Sequence, residues 1–251
     1  MKKWKCDLDK VKFNSNKIFF EIPFLAEDLV LTTAVKDCIE LQKDCGGESL
    51  KSYFKLNPNA LDLVSSDALK KCMLPGAEVS DIRADRSISN CIAFNSKNLD
   101  GSVMDQNLLA IRRNVDQIVA NRIRSFFQEG DKLMIHDSGL FWYPPGGFMS
   151  WHTNFKTPGW RLYINYTEEP GKSFFRYRDP DTGEIVTLMD KKWNFRLFKI
   201  DPKKLFWHTV YSDTNRYSFG YRIAINWDLP LYKRAFFRAR NLASLALGRG
   251  N

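Results

Sequence analysis

The feature that most constrains the fold is a run of eight or nine short β-type segments that fills the chain from Lys132 onward. The segments are rich in Phe, Tyr, Trp, Ile and Val, and turn stretches such as EEPGK and DPDTGE separate them. Aromatic and β-branched residues favour pleated strands, and many short strands at close spacing are typical of two packed antiparallel sheets. The second half of the chain is therefore predicted to be a jelly roll.

The first part of the chain has a helical pattern instead. Residues 24–47 carry apolar side chains at helical spacing up to a Gly-Gly pair, and residues 59–74 form a shorter helical segment before Pro75. The strongest pattern lies in residues 102–130, where apolar side chains recur every three or four positions between a capping-box signal and Gly130. This long helix is expected to back a sheet.

Helices followed by strands are typical of the α+β class, and 251 residues are enough for one large domain. We predict a single domain over residues 1–251 with an α+β fold, in which N-terminal helices back a jelly-roll core. Residues 1–130 would be a mainly helical supporting region, residues 131–230 the jelly-roll core, and residues 231–251 a basic C-terminal helix.

The formal net charge of +9 favours anionic partners, among them a nucleic acid, an acidic protein, a phosphorylated metabolite or a membrane surface. The densest basic patch is the final segment LYKRAFFRARNLASLALGRGN, whose basic residues fall at helical spacing. That pattern is compatible with an anion-binding helix and with a helix that has a solvated basic face.

The cysteines and the apolar runs bear on the compartment. The five cysteines are odd in number and contain no Cys-x-x-Cys pair, which favours reduced thiols over a disulfide framework or a structural zinc site. No apolar run near the N-terminus matches a secretory signal, and no stretch approaches the length of a membrane span. We therefore expect a cytoplasmic protein.

The three histidines are the first candidates for chemistry. His152 and His208 lie in strand-like segments 56 positions apart, and a jelly roll can place such strands side by side. The pair can hold a metal ion or pack in the core. His136 lies just before the strand of His152, where it either reaches the same site or belongs to a turn capped by Asp137.

The segment around His152 resembles the metal-binding strand of the Fe(II)/2-oxoglutarate-dependent dioxygenases, which reads roughly Tyr-x-x-Gly…His-x-Asp. Here Tyr143-Pro-Pro-Gly146 is followed by His152-Thr-Asn154, and the later segments RLYINYTEE, WNFRLFKI and FWHTVYSDTNRYSFGYR match further family segments in order. The resemblance covers about residues 140–227. It implies a double-stranded β-helix, Fe(II) and 2-oxoglutarate as cofactors, and His152 and His208 as iron ligands.

The segment RYSFGYR places Arg216 and Arg222 six positions apart on one strand. Their side chains therefore point to the same face, where two guanidiniums can bracket a dicarboxylate. The nucleic-acid alkylation-repair branch of the family uses a similar pair, so the resemblance implies that Arg216 and Arg222 hold 2-oxoglutarate, one carboxylate each, in either order. Tyr143 is a further candidate for contact with this cosubstrate.

Asn154 stands where the family pattern has an aspartate. An amide oxygen can ligate iron, but it lacks the negative charge that attracts a dication to a carboxylate. Three alternatives follow: the amide or a water fills the third position, a carboxylate such as Glu168 or Glu169 replaces it, or the fold persists without catalysis.

We predict an oxygenase that hydroxylates or oxidatively demethylates an unspecified substrate. The alternative is a non-catalytic jelly-roll binding or scaffold protein.

Overall fold

The computed structural model describes residues 10–44, 54–74, 89–94 and 106–225. Within these ranges the α-helices are α1 (Leu29–Gln42), α2 (Ala60–Leu63), α3 (Ser66–Cys72) and α4 (Gln106–Phe126). The strands are β1 (Phe19–Glu21), β2 (Ser89–Asn90), β3 (Ile92–Phe94), β4 (Leu133–Tyr143), β5 (Gly147–His152), β6 (Gly159–Thr167), β7 (Ser173–Arg178), β8 (Ile185–Met189), β9 (Trp193–Ile200), β10 (His208–Ser212) and β11 (Arg216–Ile225).

The strands β4 to β11 form a double-stranded β-helix. One sheet has six strands in the order β1-β9-β6-β11-β4-β3, and the other has five in the order β2-β5-β10-β7-β8, with antiparallel pairing throughout. Apart from the β7–β8 hairpin, successive strands from β4 onward switch sheets, so the chain winds around a shared interior. The predicted jelly-roll core and α+β class are confirmed.

The helices α1 and α4 cover the outer face of the six-stranded sheet. Side chains from both helices share one buried apolar cluster with alternate residues of β6 and β11, among them Val35, Val119, Trp160 and Ile223, which are fully buried. Because successive residues of a strand point to opposite faces, the intervening residues of β6 and β11 face the interior between the sheets. The helix of residues 102–130 was predicted to back a sheet, and α4 does so.

Several helix boundaries differ from the sequence expectations. Residues Pro23–Glu27 form a 3-10 turn, and α1 begins only after Asp28, whose carboxylate accepts a hydrogen bond from the Leu31 N–H. The segment 59–74 splits into α2 and α3 because Ser65 caps a new helix through the Ala68 N–H. The capping box predicted at residues 102–105 and the basic helix predicted for residues 231–251 lie outside the described residues.

No disulfide joins the described cysteines Cys38, Cys72 and Cys91 to one another. Burial raises the pKa of the Cys38 thiol to about 12, so this side chain behaves as a small apolar core residue. Cys6 and Cys45 lie outside the described residues. In the described ranges, no helix combines the length and the apolar character needed to cross a membrane.

Candidate active site

The two strand histidines face each other inside the jelly roll. Strands β5 and β10 pair so that His208 lies opposite His152, and their ring centroids are 4.0 Å apart. Both side chains are buried. The structure thus brings together two imidazoles that are 56 positions apart in the sequence.

Backbone hydrogen bonds fix the tautomer of each ring. Nδ1 of His152 lies 2.8 Å from the Ser150 carbonyl oxygen, and Nδ1 of His208 lies 3.0 Å from the Phe206 carbonyl oxygen. Because a carbonyl oxygen can only accept, each Nδ1 carries the proton, and each Nε2 keeps a lone pair. The same arrangement orients the ligands of known metal sites.

Burial keeps both imidazoles neutral. It lowers the pKa of His152 to about 4, although the hydrogen bond to Ser150 acts in the opposite direction. Burial, together with the neighbouring His152, lowers the pKa of His208 well below its ordinary value. At neutral pH both rings are therefore in the form that can ligate a metal ion.

Asn154 lies two residues after the end of β5 with a φ of 56°. Asparagine tolerates this left-handed conformation better than most residues. Its amide nitrogen lies 3.3 Å from Nε2 of His208, and its side chain also hydrogen-bonds Tyr163. Since Nε2 of His208 is unprotonated, the amide donates this hydrogen bond. The side chain of Asn154 therefore contacts Nε2 of His208, the atom that would bind a metal ion.

A cavity of about 280 Å³ is lined by His152 and by Asn154, the residues that contact His208. Its walls are partly apolar, and its polar lining includes two arginines. The lining residues are His136, Asp137, Ser138, Phe141, Met149, His152, Asn154, Thr157, Arg161, Tyr163 and Arg222. This volume is close to the lower end of the range for small-molecule sites.

The two arginines of the cavity come from neighbouring strands, since Arg161 on β6 pairs with Arg222 on β11. Arg161 is only 3% exposed and donates to the Trp160 and Thr157 carbonyl oxygens and to the Thr157 hydroxyl. Arg222 donates through Nε and Nη2 to the Pro158 carbonyl oxygen. Within the described part of the chain, neither guanidinium has a carboxylate at ion-pair distance. The cavity thus carries two cationic groups suited to an anion.

Arg161 stays charged despite its burial. Burial, and to a smaller extent the neighbouring Arg222, lowers its pKa to about 10, while Tyr163 acts in the opposite direction. A pKa of that size leaves the guanidinium protonated at neutral pH. A charge held in the interior without a carboxylate interacts strongly with an incoming anion, because little water screens it.

Arg216 and Tyr143, both predicted cosubstrate contacts, lie elsewhere. Arg216 shares the inward face of β11 with Arg222, but six residues along a strand span roughly 20 Å, too far for one small dicarboxylate. Its Nε donates to Asp190 at 2.7 Å, and its guanidinium lies over the Tyr143 ring. Neither residue lines the cavity. The structure therefore places Arg161, rather than Arg216, beside Arg222 in the cavity.

The carboxylates proposed as substitutes for the missing aspartate are engaged away from the histidines. Glu168 accepts from Lys43 at 3.1 Å and from Asn215 at 2.8 Å, and Glu169 pairs with Lys172. Asp137 lines the cavity but pairs with Arg112 and accepts from the Gly139 N–H. Among the residues that the structure describes, no cluster of three His, Cys, Asp or Glu side chains is suited to a metal.

No protein-family model matches the chain, and no curated protein is significantly similar to it in sequence. Among solved structures, a viral collagen prolyl hydroxylase from Paramecium Bursaria Chlorella virus-1, in complex with 2-oxoglutarate, has 11% identity and a TM-score of 0.40 over 83% of this chain and 96% of that one. A Trichoplax adhaerens prolyl hydroxylase bound to a hypoxia inducible factor peptide has 13% identity and a TM-score of 0.45 over 88% and 87%.

A further similar structure is the dioxygenase for auxin oxidation 1 from Arabidopsis thaliana, in complex with 2-oxoglutarate. It has 11% identity and a TM-score of 0.41 over 85% of each chain. The similar structures include prolyl hydroxylases and a 2-oxoglutarate-Fe(II) oxygenase family member. At these identities the similarity is one of fold.

The donor set can be tested against Fe(II) by its chemistry. Two neutral imidazole nitrogens suit iron, zinc, copper or nickel, and a side-chain amide oxygen can add a third donor. His152, His208 and Asn154 therefore fit a divalent transition metal. Unlike a set with a carboxylate, however, they contribute no negative charge to it.

Proposed function

We propose that the protein is an Fe(II)- and 2-oxoglutarate-dependent oxygenase. His152, His208 and Asn154 would hold the iron, and Arg161 and Arg222 would hold the two carboxylates of 2-oxoglutarate. The proposal rests mainly on one observation. Two facing imidazoles have available Nε2 lone pairs, and one of them, His152, lines a cavity whose lining also includes two guanidiniums without a carboxylate partner among the described residues.

Iron and 2-oxoglutarate, when bound, supply oxidation by O₂ coupled to the loss of CO₂ from the cosubstrate. The residues of this chain bind and orient the groups that take part. The Ser150 and Phe206 carbonyls hold the imidazoles in one tautomer, and Thr157 holds the guanidinium of Arg161 through both its carbonyl and its hydroxyl oxygen. Phe141, Met149 and Tyr163 line the same cavity and give it apolar surface.

The arginine pair suits a dicarboxylate for geometric and electrostatic reasons. Arg161 and Arg222 are directly paired on adjacent strands, so their guanidiniums reach one small molecule from the same wall. Guanidinium groups bind carboxylates through two parallel hydrogen bonds, and such charged bonds are stronger than neutral ones. A dicarboxylate would also neutralise the two charges that the cavity holds.

The first test uses the unmodified protein without oxygen. Addition of Fe(II) and 2-oxoglutarate is expected to produce a visible charge-transfer band, because the keto acid chelates the metal. Succinate, which lacks the keto group, should not produce the band. Subsequent exposure to O₂ should convert 2-oxoglutarate to succinate. A protein that shows neither the band nor succinate formation would contradict the proposed function.

A second prediction concerns Arg161→Met, which removes the buried charge and keeps most of the volume. The affinity for 2-oxoglutarate is expected to fall by about 100-fold, because charged hydrogen bonds contribute about 1.5–3 kcal/mol. The measurement is a titration of the charge-transfer band with 2-oxoglutarate. Arg113→Met, at an exposed position of α4, serves as the matched control and should titrate like the parent. Equal affinities of the two variants would exclude Arg161 as a cosubstrate residue.

The neutral Asn154 favours a second candidate, a non-catalytic protein that has kept the jelly-roll shape. This candidate predicts that the parent neither binds iron nor forms succinate, whereas Asn154→Asp gains both. Turnover by the parent would show that the amide belongs to a functioning site. Iron content and succinate formation, measured on the two proteins side by side, distinguish the candidates.

A further inference from the structure

We propose that Asn154 makes metal binding depend on the dicarboxylate, so that the dicarboxylate binds first and the metal ion second. This inference rests on the proposed function, since it concerns the same cavity. It goes further by stating how the two ligands assemble. Three features of the site support it: its charge without ligands, the hydrogen bond that Asn154 makes, and the charge that a dicarboxylate adds.

The site without ligands is unfavourable for a dication. Its three candidate donors are neutral, since both imidazoles carry their proton on Nδ1 and Asn154 is an amide. The cavity beside them contains the positive charges of Arg161 and Arg222. Of the described acidic residues, only Asp137 lines the cavity, and Arg112 offsets its charge. A metal ion entering alone meets repulsion that the protein does not compensate.

The hydrogen bond from Asn154 adds to this cost. The amide nitrogen lies 3.3 Å from Nε2 of His208 and donates to the lone pair that a metal ion would take. Metal binding must break this bond, and an unprotonated aspartate in the same place has no such bond to lose. The metal gains only a neutral oxygen donor in exchange. Asn154 therefore stabilises the metal-free state of His208.

A bound dicarboxylate removes the electrostatic obstacle. Its two negative charges cancel those of Arg161 and Arg222, so an entering metal ion no longer meets the repulsion of two uncompensated guanidiniums. The dicarboxylate does not need the metal in the same way, because both guanidiniums already attract it. Thermodynamic linkage requires that each ligand tighten the binding of the other by the same factor. We expect a factor on the order of 100.

Manganese(II) provides a suitable probe because its free aqueous ion has an electron paramagnetic resonance signal that decreases on binding. The dissociation constant of Mn(II) is measured under nitrogen, with and without saturating 2-oxoglutarate. The expected result is weak binding alone and about 100-fold tighter binding with 2-oxoglutarate. Calorimetric titration of 2-oxoglutarate, with and without Mn(II), should give the same factor. His208→Ala controls for chelation of the metal in free solution.

Two substitutions at Asn154 separate the charge from the hydrogen bond. Asn154→Asp should bind Mn(II) tightly without 2-oxoglutarate and reduce the coupling to a few-fold. Asn154→Gly suits the positive φ, stays neutral and removes the hydrogen bond. It should therefore retain most of the coupling. Loss of the coupling in Asn154→Gly, with the fold verified by thermal unfolding, would contradict the role given to charge.

The outcomes for the parent also distinguish this inference from the proposed function. If Mn(II) binds equally tightly with and without 2-oxoglutarate, the dependence on the dicarboxylate is wrong, while the oxygenase proposal stands. If no metal binds even at saturating 2-oxoglutarate, both are wrong. Succinate offers an intermediate test, since it neutralises the arginines without keto chelation. It should produce part of the increase in Mn(II) affinity.

Discussion

Replacement of Asp190 by asparagine is expected to lower the free energy of unfolding by about 3–5 kcal/mol, because it removes the buried carboxylate that pairs with the guanidiniums of Arg196 and Arg216. Asp190 accepts from Arg196 at 2.6 Å, from Arg216 at 2.7 Å and from the Ser173 hydroxyl at 2.7 Å. All four residues are buried. Urea denaturation at pH 7 measures the loss, and the exposed Asp213→Asn provides the matched control.

The same cluster predicts how stability depends on pH. Burial alone would raise the pKa of Asp190, but the charges of Arg216 and Arg196 outweigh it and lower the pKa below the ordinary value of 3.8. Such a carboxylate contributes stability above its unfolded-state pKa and loses it as the pH falls through the folded-state pKa. Below about pH 4, the parent should therefore lose stability more steeply than Asp190→Asn. Parallel slopes in this range would contradict the argument.

The same cluster explains why Arg216 lies away from the cavity, although the sequence pattern pairs it with Arg222. Strand periodicity showed correctly that Arg216 and Arg222 share a face, but it carries no information about which interior group each side chain reaches. The partner of Arg216 is Asp190, which directly follows β8 and looks in the sequence like an ordinary turn residue. Pairings between distant segments depend on the order of strands in the sheets.

Other parts of the site were predictable because local patterns determine them. Alternating and aromatic-rich segments predicted the strands, and the positions of His152 and His208 on two of them allowed a shared site in a jelly roll. Arg161 carried no local signal, since its role follows from the register that places it opposite Arg222. One signal could have indicated the role of Arg161: an arginine on the inward face of a strand in a β-sandwich, with no carboxylate nearby in sequence.

Replacement of His208 by alanine is expected to abolish the charge-transfer band at every accessible concentration of Fe(II) and 2-oxoglutarate. Loss of an outer-shell partner of a metal ligand typically costs 10–100-fold in affinity, and loss of one of two imidazole ligands should cost more. The effect should be larger here than in a site with an aspartate, because the remaining donors, His152 and Asn154, bring no charge. Anaerobic titration with Fe(II), followed by absorbance, measures it.

The controls must separate lost ligation from lost folding. Truncation of a buried side chain as large as His208 costs about 2–5 kcal/mol, so urea denaturation accompanies each titration, and His208→Gln keeps more of the volume. His136→Ala is the matched comparison. His136 lies on β4 and lines the same cavity, but its strand partner is Arg222 of β11 and not a residue of the histidine pair. It should keep the band at saturating 2-oxoglutarate. If His208→Ala and His136→Ala weaken the band equally, the two facing imidazoles are not the metal ligands, because only His208 adjoins His152 and Asn154.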